Sequence, residues 1–393
     1  MVTTTGRRVR HSSRIELSLS ALKANINFIR KKVGDHPRIS SVVKANAYGH
    51  GIYEFVPMLE KAGVRHFSVA SAFEAEEVLE SITQPDSRIM IMGILYPEDI
   101  DWAIEHDIEF FVFNYDRLPI VLEKAKAQGK SARVHLEVET GANRTGLPAK
   151  EFAPALSFLK KNQDHIIFEG LCTHFGGAES HANDFKIERQ HERYKQFLAE
   201  CQKKKFLPNT RHIACSAAAL MRPDTVYDMV RMGVATYGFW PSPEVKYHHQ
   251  METGKLNDSP LKRVLTWKTD VMDIRDVSEG EFIGYGTAYQ ATRNMRIAVM
   301  PLGYSNGYPR GASNRGQVLI RGKKAPIVGL INMNLFMVDI THLTDIEVGD
   351  EVVLVGRQKN SVLPISSFTE ATQLRNNEML SRLPAAIPRR EVR

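Results

Sequence analysis

From about residue 15 to residue 239, short apolar runs alternate with longer stretches of helical periodicity. Residues 39–43, 66–69, 88–92, 110–112, 132–138, 167–172, 213–215 and 229–235 read as strands rich in β-branched and aromatic residues. Between them, residues 20–33, 72–80, 116–128, 149–161 and 185–203 carry apolar positions at helical spacing. Strands alternating with helices predict βαβ units and a parallel sheet, and about eight such units predict an α/β fold of the (β/α)8 TIM-barrel type. After residue 241 the texture changes. Segments 261–276, 295–301, 317–320, 324–328, 336–340 and 351–355 are strand-like and separated by Gly, Asn and Asp, with helical periodicity returning only at 366–383. This pattern predicts a mainly antiparallel β domain. Residues 242–259 are polar and read as a linker, which places a barrel domain at 13–243 and a β domain at 244–393, with residues 1–12 adding a strand.

Composition narrows the class. A chain of 393 residues exceeds what one hydrophobic core usually serves, so two domains agree with its length. Its 43% hydrophobic and 25% charged residues are those of a globular protein rather than a disordered or fibrous one. The net charge of +7 is spread out, apart from short basic runs at 203–205 and 389–390 without interleaved aromatics. A nucleic-acid surface is therefore not expected, while small anionic substrates or a phosphorylated cofactor suit a mildly basic surface. The cysteines, Cys172, Cys201 and Cys215, are too few and too scattered for a disulfide framework or zinc site. No apolar window reaches signal-peptide or transmembrane length, and a cytoplasmic location is the expectation.

Residues 40–51, SSVVKANAYGHG, set Lys44 directly after an apolar strand and before a glycine-punctuated turn. Catalytic groups of barrels lie at the C-terminal ends of strands, and an amine there can condense with a carbonyl. The stretch VVKANAYGHG resembles the cofactor-lysine motif of the alanine racemase family, enzymes dependent on pyridoxal phosphate. Further segments similar to that family follow in its order: HLEVETGANRTGL at 135–147, LCTHFGG at 171–177, HIACSAA at 212–218, VRMGVATYGFWPS at 230–242, GYGTAYQA at 284–291, and PLGYSNGYPR through INMNLFMVDI at 301–340.

The resemblance implies a barrel followed by a β domain, pyridoxal 5'-phosphate as cofactor, and a head-to-tail homodimer with shared sites. It implies Lys44 and Tyr285 as the two acid–base groups, one on each face of the substrate α-carbon, with Tyr285 of the partner subunit completing each site. Ser216, the backbone of Gly233 and Val234, and Tyr48 would hold the phosphate. Arg231 would meet the pyridine nitrogen with support from His212, and His174 would orient Tyr285. Arg144 and the backbone of Met333, the latter again from the partner, would bind the substrate carboxylate. An arginine keeps its proton, so a ring nitrogen facing Arg231 is not protonated and a short-lived carbanion suits racemisation.

Departures from the family carry information as well. Glu137 stands where many members have a lysine, often carbamylated, and its carboxylate is expected to orient Arg144 directly. Cys215, Asn306 and Asn334 replace an asparagine and two aspartates. In LRNNE, residues 374–378, Asn377 takes the place of a tyrosine that narrows the pocket around alanine's methyl group, with Arg375 two residues before it. A smaller amide there predicts broadened specificity, with serine turned over alongside alanine. Tyr304, Arg310 and Glu179 resemble residues of the family's substrate corridor. A fold-related amino-acid decarboxylase is disfavoured, because its catalytic cysteine belongs in the β domain and all three cysteines here precede residue 216. A non-catalytic carrier of the cofactor would lack the second domain and Tyr285.

Overall fold

The computed structural model describes residues 9–393, apart from the side chain of Thr369. Nine strands arise before residue 240: β1 (Ser13–Ser18), β2 (Arg38–Val42), β3 (His66–Ser71), β4 (Arg88–Ile94), β5 (Glu109–Val112), β6 (Ala132–Glu137), β7 (Ile166–Cys172), β8 (Thr210–His212) and β9 (Met229–Met232). Eight of them, in the order β8-β7-β6-β5-β4-β3-β2-β9, form one sheet in which every pairing is parallel. The bond from Arg231 N–H to Ala214 O (3.0 Å) and the parallel bridge between Cys215 and Arg231 join the two ends, so the expected TIM-type barrel is present. Its strands are buried on both faces, Glu109–Val112 along its whole length, because helices cover the outside and side chains fill the interior. Met90, Phe111, Cys172 and Met229 make up part of that interior.

The second unit contains β10 (Leu265–Asp270), β11 (Asp273–Val277), β12 (Met295–Met300), β13 (Gln317–Ile320), β14 (Lys323–Val328), β15 (Phe336–Asp339), β16 (Glu351–Gln358), β17 (Ser361–Leu363) and β18 (Arg389–Val392). The sheet runs β11-β12-β15-β14-β13-β16-β10-β1-β18, with β17 on β16, and only the β1–β18 pair is parallel. The antiparallel β domain is thus observed, with Ile283, Met295, Ile297, Val328 and Met337 among its buried apolar residues.

Several expectations change. The anticipated strand within residues 1–12 falls largely on residues 1–8, outside the described residues; the strand in this region is β1. The expected boundary at residue 13 places this segment in the barrel domain, yet β1 pairs with β10 and β18, since its in–out alternation (Ser13, Ile15 and Leu17 buried) suits a sheet covered on one side. The compact units cross chain order accordingly: Ser20–Ala45 and Val56–Lys262 form one, while the described residues up to Leu19, Asn46–Phe55 and Arg263–Arg393 form the other. The presumed linker is a helix, Pro243–Thr253. Ser242 caps it by accepting from Val245 N–H, Pro243 opens it, and Gly254 closes it at a φ of 67°. Its low apolar content hid the period, but its end signals were readable. The strand expected at 213–215 ends instead at His212, where the chain leaves the ladder for the helix Ser216–Met221.

Candidate active site

The turn after β2 begins at Lys44, which is exposed. Ala45, Asn46, Ala47 and Tyr48 follow with φ between 50° and 55°, a left-handed turn built without glycine. Such a conformation costs roughly 1–2 kcal/mol per L-residue, so neighbouring groups must over-determine it. Glu74 supplies one restraint: its carboxylate accepts from Ala45 N–H and Ala70 N–H, both at 2.7 Å, fastening the lysine to the end of β3. The Asn46 side chain supplies another by accepting from Ile52 N–H at 2.9 Å. Beyond the turn, Gly49 lies so close to the helix Asn376–Ser381 that a Cβ would sit 1.9 Å from Leu380 O. Glu74 was not legible as a site residue, because a glutamate in the first turn of a helix ordinarily faces water.

The other barrel residues gather at the same strand ends. His212 closes β8 and Arg231 lies in β9, both buried. Arg231 donates to His212 Nδ1 (2.5 Å), His212 O (2.8 Å) and Thr173 O (2.7 Å), with a longer bond to Ile213 O (3.4 Å), so its guanidinium is held by four acceptors. Ser216 Oγ accepts from Gly233 N–H at 2.9 Å, which brings together two of the residues assigned to phosphate binding. Val234, next in the chain to Gly233, is half-buried, and Tyr48 is half-buried on its own turn. Arg144 is exposed in the loop after β6.

Electrostatics make these residues one site. Burial, and then the cations of Arg231, Arg144 and Lys44, push His174 down to about 3. Burial and Arg231 likewise hold His212 well below its ordinary value. Glu137, at the end of β6, is raised by burial, while Thr145 and the cations of Arg231 and Arg144 pull it back. Glu137 and Arg144 form no ion pair among the described residues, so the carboxylate acts on both arginines through space. Three cations thus share the mouth with one buried carboxylate, and the arrangement favours an anionic ligand.

The remaining predicted residues belong to the second unit. Tyr285 follows Gly284 (φ 80°) and is 72% exposed. Phe282, Met333 and Leu335 are exposed too, and Phe282, Tyr285 and Leu335 line a shallow depression with Met272, Ile283 and Met337. Arg310 stacks over Tyr304 at 6.0 Å. Asn377 is exposed on the helix Asn376–Ser381.

Comparison with known proteins decides the family. Residues 17–241 match the family description "Alanine racemase, N-terminal domain", and residues 264–391 match "Alanine racemase, C-terminal domain". The chain belongs to the alanine racemase family. The alanine racemase of Halothermothrix orenii is 34% identical over 386 residues, covering 98% of this chain and 97% of that one. The crystal structure of alanine racemase from Streptomyces lavendulae superposes with a TM-score of 0.86 at 29% identity, covering 98% of both chains. That of the Bartonella henselae alanine racemase, which has covalently bound pyridoxal phosphate, gives a TM-score of 0.82 at 26% identity, covering 98% of this chain and 100% of that one. Like these racemases, the chain pairs a parallel barrel with an antiparallel domain, and neither a decarboxylase nor a carrier reading is favoured.

The depressed histidines lead to a pH prediction for the cofactor-free protein. His174 (about 3), His50 (about 4, through burial) and His212 are neutral when folded, whereas unfolding restores values near 6.5. Below pH 6.5 the unfolded chain takes up these protons first, so stability present at neutral pH is lost as pH falls toward the folded values. The loss is about 2 kcal/mol per histidine at pH 5. Glu137 and Glu54, both raised by burial, oppose it. Urea midpoints should therefore fall between pH 7.5 and 5, and the imidazole nitrogen signals of His174 should show the neutral form throughout. A His174 titration near pH 6.5 would overturn this account.

Proposed function

We propose that this chain is an isomerase that interconverts L- and D-alanine with pyridoxal 5'-phosphate, working as a homodimer in the cytoplasm. The observation that carries the reading is the convergence of Lys44, Arg144, His174 and Arg231 at one barrel mouth, in a chain of the alanine racemase family. The donor set suits the cofactor: a cationic surplus faces an anionic ring and phosphate, and Ser216 Oγ with the backbone at Gly233 and Val234 and the Tyr48 hydroxyl would hold the phosphate. When bound, the cofactor supplies an electron sink for the carbon next to the substrate's amino group.

The chain's own residues do the rest. Lys44 Nζ would take or deliver the α-proton on one face, and Tyr285 of the partner subunit would do so on the other. Neutral His174 would orient that hydroxyl. Arg144 and the backbone of Met333 of the partner subunit would fix the substrate carboxylate. Arg231, unable to release its proton, would leave the cofactor's ring nitrogen unprotonated. Exposed Phe282, Tyr285, Met333 and Leu335 support the dimer, since grouped apolar side chains of this kind commonly mark an interface. No helix among the described residues is long and apolar enough to cross a membrane, and the three cysteines are unpaired, which agrees with a reducing compartment.

Asn377 favours a second reading, broader specificity that includes serine. It begins the turn of helix that ends at Leu380, the residue packed on Gly49 beside Tyr48. The test is incubation of each L-amino acid in deuterium oxide with purified, cofactor-loaded protein, following D-enantiomer and α-deuterium together. Alanine is expected to invert fastest, with serine measurable, and Asn377→Tyr is expected to lower the serine-to-alanine ratio about tenfold. An unchanged ratio removes Asn377 from the pocket; a chain that inverts neither amino acid overturns the proposal.

A further inference from the structure

Inside the barrel, a line of polar side chains runs from β2 to β9 through β3, β5, β6 and β8. Ser40 in β2 contacts Ser68 and lies 2.8 Å from His66 Nδ1 in β3. His66 Nε2 is 3.1 Å from Glu109 Oε2 in β5, and the same oxygen is 3.0 Å from His135 Nε2 in β6. His135 Nδ1 is 2.8 Å from His212 Nε2, and His212 Nδ1 meets Arg231 at 2.5 Å. Ser40, His66, Ser68, His135 and His212 are all fully buried, and Glu109 and Arg231 nearly so. Room for the His135 ring comes from Gly170, where a Cβ would lie 1.9 Å from His135 Nδ1.

The two ends dictate the direction of every bond between them. A guanidinium can only donate, so His212 Nδ1 must accept and the His212 proton sits on Nε2. That proton is donated to His135 Nδ1, which places the His135 proton on Nε2, facing Glu109. A carboxylate can only accept, and Glu109 Oε2 takes this bond together with one from His66. Burial would raise the Glu109 pKa, but the neighbouring His66 and His135, which donate to its carboxylate, outweigh it, so the group remains ionised. With the acceptor removed, the His135 Nε2–H would be buried without a partner; moving that proton to Nδ1 relieves it but confronts the His212 Nε2–H, and inverting His212 in turn confronts Arg231, so no single tautomer satisfies the chain.

We infer that Glu109 is a positioning residue: through His135 and His212 it stabilises the tautomer whose Nδ1 receives Arg231, and so holds the guanidinium in its direction. Its consequence for racemisation rests on the proposed function; the tautomers do not. Two variants separate acceptor from charge. Glu109→Gln can set its amide oxygen where Oε2 lies and still accept from both histidines, whereas Glu109→Leu cannot accept at all.

The experiment is nitrogen-15 imidazole NMR on cofactor-free protein, followed by kinetics after loading with pyridoxal phosphate. Wild type is expected to show His135 and His212 each in the Nε2–H form, Glu109→Gln to keep them, and Glu109→Leu to mix them. In the loaded enzyme, Glu109→Leu should lower kcat for alanine about tenfold with KM within about twofold, and Glu109→Gln should restore most of the loss. Unchanged tautomers in Glu109→Leu, or an Nδ1–H form of His212 in wild type, overturn the inference; the second remains decisive even where the leucine variant fails to fold. Mixed tautomers with unaltered kcat overturn the link to Arg231. A wild type with the expected tautomers but no racemisation would refute the proposed function and leave the role of Glu109 in the network standing.

Discussion

Lys44→Ala is expected to abolish alanine racemisation, lowering it by about 10⁴-fold or more, because both the covalent anchor and one acid–base group disappear. The protein should also lose its cofactor on gel filtration, where the wild type retains it. Folding should be nearly unaffected. Lys44 is exposed, it precedes the left-handed residues, and Glu74 restrains the turn through the backbone of residue 45, which the substitution leaves intact. Thermal unfolding close to that of wild type would therefore separate lost chemistry from lost structure. Retention of a tenth or more of wild-type turnover would sink the assignment.

Tyr285→Phe is expected to lower inversion by about 10²–10⁴-fold while leaving α-proton exchange on the lysine face. In deuterium oxide one alanine enantiomer should then gain α-deuterium without changing hand. Removing an exposed hydroxyl leaves the packing of the second unit alone, so stability should not change. A mixing experiment locates the residue as well. If sites are shared between subunits, refolding Lys44→Ala together with Tyr285→Phe yields heterodimers with one site fully native, and activity should recover to about a quarter of wild type. No recovery would mean that both groups serve from one chain. Equal loss of exchange and inversion in Tyr285→Phe would remove it as a proton donor.

Much of the site could be read in advance because its chemistry lies in contiguous stretches. Lys44 follows an apolar run in VVKANAYGHG, and Ser216 and Gly233 lie in segments whose order matched a family. The structure then brought Ser216 Oγ to Gly233 N–H and Arg231 to His212. Glu109, His66 and Glu74 escaped notice for a different reason. Each stands alone among apolar or helical neighbours, and a lone polar residue in a strand reads as an interruption until its partners are known. His135 lay inside a quoted motif but had no role, because its bonds run to β5 and β8, at 26 and 77 positions along the chain.

The local pattern of this chain determined most of its strands, that most of the barrel strands are buried on both faces, and which residue types stand at their ends. Those properties follow from side-chain period and from turn residues, which act over a few positions. Only the tertiary structure decided that β1 leaves its sequence neighbours for β10 and β18, that four residues after Lys44 hold a left-handed turn against Glu74, and that seven buried polar side chains link Ser68 to Arg231. A period of two shows that a strand has an inner face but not which strand lies beside it, and a buried polar group is tolerated only where distant parts of the chain supply its partner.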